Sequence, residues 1–164
     1  MAGRASKSGI GYQQEKKMEA NYDREEAAGT PQAIVTWVNG VIQGQHDPCP
    51  NASFESIAAY FKDGIALCKL INTLLKNTGG SPVSFSKKIT SPFVAMGNLE
   101  NFSKGCESFG LPKTCIIQSG DVYEGSKAKF YNVLNTLHSL GMLANSKNIQ
   151  PQYTGKMVKL MDNE

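Results

Sequence analysis

Large apolar residues are sparse over the first 28 positions and then recur in bursts spaced three and four apart. Residues 1–13 are rich in Gly, Ser and Lys and read as a loose arm. Residues 14–28 hold helix formers throughout but are polar nearly all round. Only Met18 and Tyr22 can share a face, so the pattern predicts a helix that docks lightly. Gly29 ends it, and Thr30-Pro31 predicts a restart with Thr as the N-cap and Pro in the first turn.

Over residues 31–43, Ile34, Val38, Val41 and Ile42 fall on one helical face with Trp37 beside them. A loop with two prolines follows at 44–51, then a short helix over 53–60, with Ser53 as cap and Phe54, Ile57 and Phe61 at inward spacing. Residues 63–75 differ in kind. Ile65, Ala66, Leu67, Cys68, Leu70, Ile71, Leu74 and Leu75 cover almost every direction, interrupted mainly by Lys69, Asn72 and Thr73. A helix apolar nearly all round belongs inside a domain, wrapped by others.

Asn77 through Gly80 stops that helix. Ser91-Pro92 opens the next, which carries Phe93, Met96, Leu99, Phe102, Cys106 and Phe109 at steps of three and four and ends on Gly110. A connector over 111–124 leads to a helix over 125–140, with Phe130, Val133, Leu134, Leu137 and Leu140 inward and Gly141 closing it. One short amphipathic turn remains, around Met157, Val158, Leu160 and Met161. With no sustained strand alternation and no internal repeat, the expected class is all-α. Four main helices and some short ones form a compact bundle around a buried central helix. The expected division is an arm at 1–13, a domain at 14–143 and a tail at 144–164.

Composition supports one globular domain: 164 residues, 40 % apolar and 19 % charged. The net charge of +3 is too small to make nucleic acid the expected partner. Residues 111–164 carry six basic against four acidic groups, a mild excess suited to an acidic surface. Cys49, Cys68, Cys106 and Cys115 have no regular spacing and read as reduced thiols of a cytosolic protein. No apolar run is long enough to span a bilayer, and neither end carries a secretion or lipidation signal. The expectation is a cytoplasmic protein with no membrane partner.

Motifs for chemistry are weak. The string from Gly120 to Lys127 has the spacing of a phosphate loop, but no strand precedes it and Asp121 and Glu124 would repel phosphate; a helix capped near Ser126 fits better. Asn51-Ala52-Ser53 and Asn101-Phe102-Ser103 match the glycosylation acceptor by chance. His46 and His138 have no cysteine or carboxylate at metal-ligand spacing, and no nucleophile–base set or apolar-embedded carboxylate pair stands out. The expectation is a non-enzyme with no catalytic residues, no metal and no cofactor.

Three stretches, taken in order, resemble the calponin-homology family, in particular the single-domain type of calponin, transgelin and myophilin-like muscle proteins. They are Ile34 to Asn39, with Trp37-x-Asn39; Phe61 to Asn72, with Asp63-Gly64-x-x-Leu67-x-x-Leu70-Ile71-Asn72; and Ser91-Pro92-Phe93 through Asn98 to Phe102, Gly110 and Asp121 to Gly125. The likeness covers residues 22–143. It implies the calponin-homology fold, with Trp37, Asn39, Asp63, Gly64, Leu67, Leu70, Ile71 and Asn72 as structural signature. Trp37 would pack against the buried 63–75 helix.

The resemblance further implies a monomeric, cytoskeleton-associated module that binds or regulates F-actin. Carried over by motif, the actin-facing residues would be Leu111, Lys113, Thr114, Ile116, Gln118, Lys127, Lys129 and Tyr131. Calponins and transgelins also carry a short Gly-Leu-x-x-Gly repeat, and nothing like it follows Pro151. That favours, as the alternative, an adaptor that docks a kinase or another cytoskeletal protein. Microtubule-tip binding, known from a distant branch, goes with a coiled coil, and no heptads are present.

Overall fold

The computed structural model describes residues 9–157. Among them are seven α-helices and no strand: α1 (Gly9–Ala28), α2 (Thr30–Val41), α3 (Phe54–Phe61), α4 (Ile65–Asn77), α5 (Pro92–Phe109), α6 (Ser119–Glu124) and α7 (Lys127–Ser146), with one 3₁₀ turn at Lys113–Cys115. The all-α expectation holds.

The central helix is α4. Ala66, Leu67, Cys68, Leu70, Ile71 and Leu74 are fully buried, and each large aliphatic among them contributes about 1.5–3 kcal/mol relative to an exposed position. Helices α2, α3 and α5 pack on it. Its start is built by Asp63-Gly64: Asp63 Oδ1 accepts from the Ile65 amide at 2.9 Å, and Gly64 takes φ +77°. Gly64 also touches α5, where an added Cβ would lie 2.7 Å from Asn98 Cβ.

Three expectations are corrected. Helix α1 begins at Gly9, ahead of position 14, and its docking on α7 is intimate rather than light. Tyr22 is fully buried, edge-on to Phe54 at 5.5 Å, and Phe54 is edge-on to Phe130 at 5.7 Å. Glu25 and Asn21 are buried with it. Counting only apolar positions hides such a face, because half of it is polar. The cap of α2 is Gly29, at φ +88°, not Thr30. The Thr30 hydroxyl instead donates to buried Glu25 Oε1 at 2.7 Å, tying α2 back to α1.

The third correction concerns α7, which runs through Gly141 to Ser146. Gly141 is there for space: an added Cβ would lie 2.6 Å from Tyr153 Cγ. Residues 148–155 fold back as a strap over α2 and α7. Tyr153, 3 % exposed, is edge-on to Trp37 at 5.7 Å and shares a hydrogen bond of 2.9 Å with His138 Nδ1. Pro151 lies against Gly40. Of the expected amphipathic turn, Val158, Leu160 and Met161 lie outside the described residues.

Four asparagines fix the long connections, each pairing its side-chain amide with both peptide groups of one residue. Asn39 holds Cys49 (2.9 and 3.1 Å) and Asn72 holds Val83 (2.7 and 3.0 Å). Asn98 holds Ser86 (2.8 and 2.9 Å), and Asn145 holds Tyr153 (2.9 and 2.8 Å). An Asn amide offers one acceptor and two donors in the geometry of a peptide, so it substitutes for the strand partner these extended segments lack.

Candidate binding surface

The connector between α5 and α7 is laid down by Gly110, which ends α5 at φ +116°. The next residue, Leu111, is 4 % exposed and belongs to the core. Its place in the expected actin-facing set is therefore corrected: the apolar side chain anchors the connector from within the core. Lys113 and Thr114, in the 3₁₀ turn, are exposed, while Ile116 is half-buried against the core. Gln118 is the exposed N-cap of α6, in a reciprocal capping arrangement with Asp121. Lys113, Ile116 and Gln118 border a shallow cleft of about 390 Å3, closed on its far side by Ser103, Lys104 and Glu107 of α5.

Helix α7 is capped by Ser126, whose hydroxyl accepts from the Lys129 amide at 3.3 Å, in keeping with a helix cap rather than a phosphate loop. Lys127 and Lys129 follow, and Tyr131 is half-buried one turn on. Burial pushes the Tyr131 hydroxyl up from its ordinary pKa.

The three expected cations are each matched by a carboxylate. Lys113 meets Glu107 at 3.5 Å, Lys127 meets Asp23 at 3.0 Å, and Lys129 meets Glu124 at 3.0 Å. Lys127 points inward toward α1, with Nζ 5.9 Å from the ring centres of both Tyr22 and Phe54. The Asp23 hydrogen bond, with the charges of Asp23, Glu26 and Glu19 behind it, holds its ammonium above the usual lysine range. The connector face is thus polar and close to neutral rather than basic.

The structure places the signature residues in two groups. Trp37, Gly64, Leu67, Leu70 and Ile71 are buried; Asn39, Asp63 and Asn72 are half-exposed and bond to loop or helix-start backbone. Trp37 stacks edge-on with Tyr153 of the strap, a partner the resemblance did not supply.

The thiols are inward. Cys49, Cys68 and Cys106 are buried and Cys115 is half-buried, all unpaired as disulfides. Burial pushes the Cys68 thiol up to about 12, and its Sγ donates to the Asn98 carbonyl at 3.2 Å. Thiols held protonated this way are poor nucleophiles. Among the described residues, no three His, Cys, Asp or Glu side chains converge on a metal-sized site, and no helix is long and apolar enough to cross a membrane.

One apolar residue of the α5 series faces solvent. Phe93, which shares the three-and-four spacing with Met96 and Leu99, is 88 % exposed. Spacing put it in phase with Met96, but it stands in the first turn of α5. Helical side chains lean toward the N-terminus, which carries this ring past the end of the packed region.

Comparison with known proteins agrees with this architecture. The chain is 27 % identical over 151 residues to myophilin of Echinococcus granulosus, covering 92 % of this chain and 70 % of that protein. It is 36 % identical over 86 residues to Rac guanine nucleotide exchange factor B of Dictyostelium discoideum, covering 52 % of this chain and only 7 % of that much longer protein. The profile of the calponin homology (CH) domain matches residues 29–146, from the Gly29 cap of α2 to the last residue of α7, and the chain belongs to that family.

Proposed function

We propose that this CH domain is a non-enzymatic cytoskeletal module that binds actin filaments directly, as a monomer and in the cytoplasm, with no nucleic-acid or membrane partner. CH domains occur in actin-binding and signalling proteins, and the likeness to a single-CH-domain protein extends over nearly the whole chain. The observation that carries the reading is the connector with the start of α7: a solvent-facing surface presenting Lys113, Thr114, Gln118 and Lys129 over the buried core, with Ile116 and Tyr131 half-exposed among them. Lys127 contributes through its hold on α1, and Leu111 from beneath. Filaments are acidic, so attraction to the exposed lysines is screened by salt.

Co-sedimentation with F-actin tests this. The folded chain should pellet with filaments at low salt and less so at physiological ionic strength; if it stays in the supernatant at low salt, direct actin binding is wrong.

The second reading is an adaptor that docks a kinase or another cytoskeletal protein. The carboxylate beside each connector lysine supports it, since neutralised cations attract an acidic filament weakly. Under it, a pull-down from muscle extract retains its partner after actin is depolymerised, whereas recovery of actin alone contradicts it.

A further inference from the structure

The surface with uncompensated positive charge lies beside the connector, on the loop that precedes α5. Residues 62–104 hold Lys62, Lys69, Lys76, Lys87, Lys88 and Lys104 against only Asp63 and Glu100. Lys69 is occupied, donating to the Gln45 carbonyl at 2.7 Å. Lys62, Lys87 and Lys88 are exposed, and among the described residues no carboxylate lies within ion-pair distance of them. Asn98 pins Ser86 to the flank of α5, so Lys87 and Lys88 leave the surface within the short span that climbs to the helix start at Pro92.

On the same span stand Ile89, 37 % exposed, and Phe93, 88 % exposed, two of the four exposed large apolar side chains among the described residues. Between this loop and the α3–α4 corner runs a cleft of about 450 Å3 lined by Lys62, Ile89, Pro92 and Tyr123 among others. Lys62 Nζ lies 4.7 Å over the Tyr123 ring. Asp63 is the one carboxylate on the cleft, and one of its oxygens is turned to the Ile65 amide. Tyr123 belongs to α6, inside the connector. The cationic, apolar patch therefore reaches the connector at Tyr123.

We propose that the actin-binding surface extends across this cleft, with Phe93 as its apolar anchor and Lys62, Lys87 and Lys88 as the cations that meet the acidic filament. This rests on the actin reading above and sharpens it: affinity comes from the Phe93 patch more than from the carboxylate-matched lysines of the connector. An exposed aromatic flanked by free cations has the composition of an interface hot spot, where one buried ring dominates and charges set encounter and orientation.

The test is co-sedimentation of the full chain with F-actin, comparing the parent with Phe93→Ala, Lys87→Glu/Lys88→Glu and Lys113→Ala/Lys129→Ala, each checked for an unchanged helical spectrum and melting midpoint. Because Phe93 is solvent-exposed, its removal leaves the fold intact. The expected result is a loss of affinity of roughly tenfold or more for Phe93→Ala, a comparable loss with weaker salt dependence for the charge reversal, and a measurable but smaller loss than either for Lys113→Ala/Lys129→Ala. Parental affinity in Phe93→Ala, with binding lost in Lys113→Ala/Lys129→Ala, overturns the extension while keeping the actin reading. A parent chain that does not pellet overturns both.

Discussion

Gly64 shows at single-residue resolution why one position tolerates one amino acid. It needs a positive φ, which costs any L side chain, and it needs no Cβ, because α5 passes within contact. The two demands are separate, and both fail together in Gly64→Ala. We expect that change to destabilise the domain by roughly 2–4 kcal/mol, the sum of a strained backbone and a core clash. Urea denaturation reads it; a loss under about 1 kcal/mol would mean that α5 yields easily. The Asp63-Gly64 pair was visible in the sequence as part of the structural signature, but contact with Asn98, far along the chain, was not. Phe93 is the converse case. Its spacing was legible and its exposure was not, because periodicity reports angular phase around a helix and is blind to where along the axis the packing stops.

At the scale of elements, hydrophobic periodicity located α2, α4, α5 and the body of α7, whose stability comes from apolar burial. It failed at α1, whose buried face includes Asn21 and Glu25, and at the far end of α7, where a strap covers Gly141. Neither is encoded by local pattern; both depend on partners brought by the fold. The asparagine clamps mark the same limit. Asn39 and Asn72 belong to the signature of the resembled family, Asn98 only lies within a resembling stretch and Asn145 belongs to no motif, yet all four hold a loop in the same way. The strap gives the sharpest test. Replacing Asn145 with Ala leaves the Tyr153 N–H and C=O without their clamp, and we expect a loss of about 1–3 kcal/mol. Hydrogen exchange should show faster opening confined to residues 148–155 and the end of α7. Unchanged protection of the Tyr153 amide in Asn145→Ala would refute the clamp.

For the molecule as a whole, the two histidines couple stability to pH. His46 Nδ1 lies 3.2 Å from Lys69 Nζ, and an ammonium can only donate, so that nitrogen carries no proton. His138 Nδ1 faces the Tyr153 hydroxyl, half-buried between α7 and the strap. Burial lowers the pKa of both below 6.5; the Lys69 charge adds to this at His46, and Glu25 opposes it at His138. A lowered folded-state pKa means that the unfolded chain binds more protons throughout the window beneath 6.5. Stability therefore rises with pH up to that value and is flat above it, as far as these two groups decide. Each histidine fastens a different connection, the Gln45–His46 loop to α4 and the strap to α7. Acid should thus loosen both connections before carboxylate titration begins. Thermal melts between about pH 7.5 and about pH 5 are expected to show a falling midpoint as the pH drops below 6.5. In His138→Gln the slope should be reduced though not abolished, because His46 still titrates. A parental midpoint that holds level or climbs over that interval would contradict neutral histidines in both places.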